Sequence, residues 1–153
     1  MTLRKFYRHE LDEAILQRLD YDYNTNRAIY IAKLEAGTWT KNQKKIQKKA
    51  ILCNIVLYHT FLGYGISSER AKALVAQKAN DKARKLNKLL KSLFNLPFFQ
   101  KIFRYFMARA ISKNKEIWQS KILISDNKNL NFDITKCLWA DTCRYFGCYE
   151  ICE

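Results

Sequence analysis

The sequence predicts an α+β protein, predominantly α-helical: a helical body, a short β-hairpin and a Cys-rich C-terminal helix. Three observations predict it. Apolar residues recur at three- and four-residue steps through most of the first 116 positions, the period of a helix buried along one side. The whole chain has only four glycines and one proline, which suits long helices with short connections. After Trp118 the period changes to two in "KILIS" and "LNFDIT", runs joined by the turn-prone "DNKN". At 153 residues and 48% apolar content, the chain is expected to form one domain, 1–153, around a single core. Within it, 1–116 is a basic helical body and 117–153 a hairpin plus the Cys-rich segment.

Taken in order, residues 3–19 read as one amphipathic helix with Leu3, Phe6, Leu11, Ile15 and Leu19 roughly on one side. The acidic-aromatic "DYDYNTN" reads as a break, followed by a helix from about Arg27 to Ala36 that Gly37 stops. A third helix begins in the cluster Lys41, Lys44, Lys45, Lys48, Lys49 and runs through "AILCNIVLYHTFLGYGI" to about Leu62. That uncharged stretch is slightly short for a membrane span and carries Asn54, His59, Thr60 and two glycines, so it reads as a buried core helix. "GYGISSE" ends it and offers Ser67 or Ser68 as the next cap. A basic helix follows from Glu69 to about Leu93, with Leu86, Leu90 and Leu93 at helical spacing and lysines on its other faces. "NLP" at Asn95–Pro97 ends it. Phe98, Phe99, Ile102, Phe103, Phe106, Met107, Ala110 and Ile111 then form a stripe expected to be core, opposite Lys101, Arg104 and Arg109. After the hairpin, a helix is expected from Cys137 to Phe146, with Gly147 as its C-cap.

The chain carries 28 Lys+Arg against 14 Asp+Glu, and the excess is uneven. Residues 117–153 hold four basic and five acidic groups, so the first 116 residues carry all of the positive excess. A basic body of this kind attracts nucleic acid, an anionic membrane surface or an acidic partner, or is simply a solvated lysine-rich surface. Lysine predominates over arginine, and no zinc-finger, ribonucleoprotein or KH signature accompanies it. The charged N-terminus does not read as a secretory signal. With an odd number of cysteines, that favours a reduced, cytoplasmic setting over a disulfide scaffold.

Four of the five cysteines fall at the end, as Cys137-x5-Cys143-x4-Cys148-x3-Cys152. No C-x2-4-C knuckle opens the run beyond the Cys148–Cys152 pair, which follows a glycine, so neither structural zinc nor an iron–sulfur cluster is expected. Two readings remain for the thiols. Cys137 follows Lys136 at a helix start, a setting that favours the thiolate, whereas Cys143 and Cys148 also read as small buried hydrophobes. His59 is a possible base partner for a cysteine or an ordinary structural histidine. No P-loop, dinucleotide fingerprint or serine-hydrolase elbow occurs, and no cofactor or metal is expected.

"FDITKCLWADTCRYFGCYEICE" resembles the C-terminal signature of the L-2-amino-thiazoline-4-carboxylic acid hydrolase family: a strand ending in Thr-x-Cys, a helix, a Gly, then Glu beside a further Cys. "LYHTFLGYGISSERAKALV" and "FNLPFFQKIFRYF" are similar to that family's helical segments, in order. The family pattern continues past this point with another Cys and an Asp, so the resemblance implies a C-terminally shortened member with its hairpin edge uncovered. It implies hydrolysis of a non-peptide C–N bond of a cyclic amidine, opening the thiazoline ring toward a carbamoyl-cysteine. The substrate would be a small, anionic, amino-acid-like molecule. Carried onto this chain, the catalytic candidates are Cys137 as nucleophile or water-positioning group, Asp141 and Glu150 as acid/base groups, and Cys152. Arg144 and His59 are the candidate substrate-binding groups, Arg144 as the clamp for the substrate carboxylate. Two further classes are kept beside it. One is a non-enzymatic basic helical protein that binds nucleic acid or an acidic protein; the other is a homo-oligomer completed by strand addition.

Overall fold

The structure, a computed structural model, describes residues 2–94, 98–113, 115–125 and 130–152. Helix α1 (Leu3–Tyr7) is followed by α2 (Glu13–Ala36), α3 (Lys41–Ile46), a π-helical turn (Gln47–Ile51) and α4 (Leu52–Gly63). Helices α5 (Ser68–Phe94) and α6 (Phe99–Lys113) complete the helical body. Strands β1 (Trp118–Ser125) and β2 (Leu130–Cys137) pair antiparallel, and α7 (Leu138–Tyr145) and a 3-10 turn (Tyr149–Ile151) close the described chain. The predominantly helical α+β architecture, the hairpin and the Cys-rich helix are therefore as expected. The turn expected at "DNKN", the "NLP" stop and the side chains of Leu86, Leu90, Leu93, Ala110 and Ile111 lie outside the described residues.

Two expectations fail, each for a physical reason. The first expected helix is split after Tyr7, while "DYDYNTN" is not a break but the middle of α2. Its polar side chains satisfy tertiary partners instead of competing for their own backbone. Asp20 accepts from the Leu3 amide at 2.9 Å, which fastens α1 to α2. Asp22 accepts from the Tyr64 hydroxyl at 2.7 Å, and Asn26 donates to Thr60 Oγ1 at 3.0 Å. The second failure is the Phe stripe of α6. Phe98, Ile102, Tyr105 and Phe106 are exposed, because α6 packs on α5 and β1 with its other side.

The core forms around α4. Leu52, Ile55, Val56, Leu57, Tyr58, Thr60 and Phe61 are all buried, so this helix is enclosed on nearly every side, as its uncharged sequence required. Among the described residues no helix is long and apolar enough to cross a membrane. Leu16, Leu19 and Leu34 of α2, Ala71, Leu74 and Val75 of α5, and Leu138 of α7 pack around it. Tyr7 meets Phe61 edge-to-face at 5.3 Å and donates its hydroxyl to the Leu74 carbonyl at 2.9 Å, so even this buried phenol is satisfied. Gly37 is the C-cap of α2, and the position leaves little room for a side chain: a Cβ there would lie 2.9 Å from Trp39 Cδ1.

The lysine-cluster helix does run into α4, through the π-helical turn, which buries Gln47. Gln47 Nε2 donates to Thr142 Oγ1 at 2.9 Å, and Thr142 donates onward to the Leu138 carbonyl. This chain of hydrogen bonds docks α7 on the body. Thr142→Val should leave the Gln47 amide buried without its acceptor, costing about 1–3 kcal/mol in urea unfolding. The double variant Gln47→Leu/Thr142→Val, which removes both polar groups, should recover most of that loss.

Candidate active site

The last turn of α7 sets the site. Gly147 adopts φ +70, the left-handed conformation glycine tolerates best. The Gly147 amide donates to the Arg144 carbonyl at 3.2 Å and the Cys148 amide to the Cys143 carbonyl at 2.9 Å, the paired bonds of a Schellman ending. The chain thereby reverses, buries Cys148 against Cys143 and lays Tyr149–Ile151 over α4 and α5. A cleft of about 490 Å³ results, whose polar lining includes Asn54, Lys72, Asn80, Cys143, Glu150 and Cys152.

Glu150 Oε1 accepts from the Tyr58 hydroxyl at 2.6 Å, and Tyr58 Oη lies 2.8 Å from Ser68 Oγ. A phenol has one proton; with that proton given to Glu150, Ser68 must donate to Tyr58. The hydrogen bond from Tyr58 holds the Glu150 carboxyl below the ordinary glutamate value of 4.5, with its own backbone amide and the charges of Lys72 and His59 acting the same way. Burial, then the Glu150 bond, pushes the Tyr58 phenol up. The sign for stability follows. A carboxyl whose folded value is lowered favours the fold above about pH 4.5, and that contribution disappears as pH falls through the lower folded value. Wild type should therefore lose stability in acid more steeply than Glu150→Gln, a difference readable as converging urea midpoints below pH 4.5.

The thiols differ from one another. All five are unpaired cysteines, with Cys143 and Cys148 buried as the small-hydrophobe reading expected. Cys148 Sγ donates to the Cys143 carbonyl at 3.5 Å. Hydrogen bonding with Cys148, reinforced by burial, drives the Cys143 thiol far toward its protonated form. Cys152 is exposed at the cleft, yet partial burial of its sulfur and the neighbouring Cys143 raise it too.

The sequence candidates thus divide. Glu150 and Cys152 both line the cleft, as does Cys143. Cys137 is the N-cap of α7, half-buried and outside the residues lining the cleft. Asp141 and Arg144 pair with each other at 3.3 Å on α7, and the guanidinium lies 4.7 Å from the Tyr149 ring centroid. His59 sits behind Tyr58, its ring 5.5 Å from those of Tyr58 and Tyr30. Burial lowers its pKa, a hydrogen bond to the Phe146 backbone opposes this, and Nε2 is buried without a partner. Sequence reasoning missed Lys72 and Tyr58. Ser68 and Lys72, one helical turn apart on α5, were the available signal, since i and i+4 share a face.

A second, larger concavity of about 1000 Å³ lies between α2 and the lysine-bearing turn of α3. Arg27, Lys41, Lys44, Lys45, Lys48 and Lys49 line it, with Trp39 and a single carboxylate, Glu35. Lys48 and Lys44 both bond to Glu35, and the Lys48 bond holds that carboxyl below its usual range.

Fold and cleft together define a small, mostly helical α+β protein with a thiol-lined cleft built around one ionised carboxylate. Residues 43–153 match the family model described as L-2-amino-thiazoline-4-carboxylic acid hydrolase. The chain belongs to that family. Helices α1 and α2 lie entirely before the matched region, although both supply core residues. No curated protein and no solved structure matches the chain.

Proposed function

We propose that the cleft at Glu150 hydrolyses a small cyclic amidine bearing a carboxylate, of the 2-amino-thiazoline-4-carboxylate type that names the family. One observation carries the reading: an ionised carboxylate and a lysine share a small cleft with two protonated thiols. A substrate with a cationic amidine at one end and a carboxylate at the other complements that pair. Lys72 binds the substrate carboxylate, and Glu150 faces the amidinium.

In the reaction, Glu150 takes a proton from water as the water oxygen adds to the amidine carbon. The ring C–S bond then breaks, Glu150 returns the proton to the departing sulfur, and the remaining hydroxyl proton leaves to solvent as the carbamoyl carbonyl forms. The bond that opens the ring toward a carbamoyl-cysteine is thus C–S, not C–N. Cys143 and Cys152 supply a polarisable wall for the ring sulfur. Cys137 occupies the N-cap position of α7 without a side-chain capping bond, and Asp141 and Arg144 satisfy each other; none has a chemical step in this scheme.

Thiol released from the thiazoline by Cys137→Ser and Cys152→Ser, followed over many turnovers, tests these assignments. Cys137→Ser should retain most of the wild-type rate. Its inactivity in a folded protein would return the nucleophile to Cys137 and overturn the water mechanism.

The lysine-lined concavity favours a second reading, a basic protein that binds nucleic acid. Six cationic side chains beside Trp39 resemble the charge-plus-stacking chemistry of single-strand binders. Retention on a single-stranded oligonucleotide, falling steeply with salt and lost in Lys45→Glu/Lys49→Glu, would support it. Retention that ignores salt would count against it.

A further inference from the structure

The exposed face of α6 is a feature that the cleft does not use. Ile102 donates its amide to the Phe98 carbonyl at 3.2 Å, so Phe98 continues the helical turn at the start of α6. Phe98, Ile102, Tyr105, Phe106 and Arg109 then fall at i, i+4, i+7, i+8 and i+11, one face of the helix. Phe98 is 75% exposed, Tyr105 62%, Phe106 61% and Ile102 50%. Four large apolar side chains on one face go well beyond the scattered exposed hydrophobics of an ordinary surface.

Charge selects what covers them. Residues 82–115 contain ten Lys or Arg and no Asp or Glu. Lys101 and Arg109 on α6, Lys88 and Lys91 on α5, and Lys115 after α6 are all exposed. A second copy seated on this face would bring one acid-free basic surface against another, which opposes association. An anionic lipid surface supplies what the face lacks: an apolar layer for the aromatic residues and negative headgroups for the lysines. Tyrosine suits that boundary, with an apolar ring and a polar tip. Since no described helix is able to span a bilayer, the geometry is that of a helix lying in the plane of the surface.

We propose that α6, flanked by the basic surface of α5, docks the protein on an anionic lipid bilayer through Phe98, Ile102, Tyr105 and Phe106. The test is co-sedimentation of the full chain with vesicles of neutral phosphatidylcholine, alone or mixed with about one-third phosphatidylserine. Retention on the anionic vesicles should exceed that on neutral ones by about tenfold and weaken as salt rises. Phe98→Ala/Phe106→Ala, with unchanged circular dichroism, should lose about tenfold of that retention. Lys101→Glu/Arg109→Glu should lose at least about as much by reversing charge instead of removing apolar area. The proposal falls if the anionic vesicles retain nothing, or if they retain the Phe double variant as well as wild type. It also falls if the chain self-associates without lipid and the Phe double variant abolishes that association, because the face would then belong to a second copy.

Discussion

Glu150→Gln is expected to slow ring opening by about 10²–10⁴-fold, the range for losing a general base, while the protein stays folded near neutral pH, less stable only by the contribution of the ionised carboxylate. The amide keeps an oxygen for the Tyr58 hydroxyl, so the hydrogen bond that seats residue 150 survives. What it lacks is the ability to take a proton from water. Because Tyr58 holds the Glu150 carboxyl below its ordinary range, the wild-type rate should be level through neutral pH and fall only on the acid side of about 4.5. Tyr58→Phe removes the bond that keeps the carboxyl ionised, so its acid limb should move upward in pH. Steady-state thiol release against pH checks both. An acid limb that stays in place in Tyr58→Phe would separate Glu150 from the proton transfer.

Phe61→Ala is expected to produce the largest loss of stability, about 3–5 kcal/mol, seen as a fall of roughly 10 °C in the melting temperature. Phe61 is fully buried in α4 and is the edge-to-face partner of Tyr7, so truncation opens a cavity and strips one of the contacts that hold α1. The same substitution at Phe106, 61% exposed, should change stability by no more than about 0.5 kcal/mol. Equal losses at the two positions would mean that α6 is packed as the sequence stripe had suggested, not open as the structure has it.

That contrast marks where the sequence was legible. Periodicity located α5, α6 and both strands, because each period reports a helix or strand that buries one side, and an uncharged apolar run located α4, which is buried nearly all round. It did not say what covers α6: a Phe stripe facing the core and one facing outward have the same spacing. Composition misled at Asp20–Asn26, where acidic and amide side chains look like a break unless their tertiary partners, Leu3, Tyr64 and Thr60, are known. In the candidate site, the terminal signature pointed to Glu150 and Cys152, which both line the cleft, and Gly147 was legible from its place after the helix. Lys72 and Tyr58 were not, since they come from α5 and α4 and reach Glu150 only through the reversal at Gly147. Arg144 was the natural sequence choice for a carboxylate clamp, yet the helical turn gives it Asp141 as a partner three residues earlier.

The pairing of Glu150 with Lys72 in one cleft is the central claim, and substrate discrimination tests it most directly. Thiol release by wild type and Lys72→Met is to be compared on 2-amino-thiazoline-4-carboxylate and on 2-amino-thiazoline, which lacks the carboxylate. Wild type should strongly prefer the carboxylate-bearing ring, and Lys72→Met should lose that preference mainly through a raised KM while kcat changes little. A wild type that releases thiol from neither ring, or a Lys72→Met variant that still prefers the carboxylate as strongly as wild type, would contradict it.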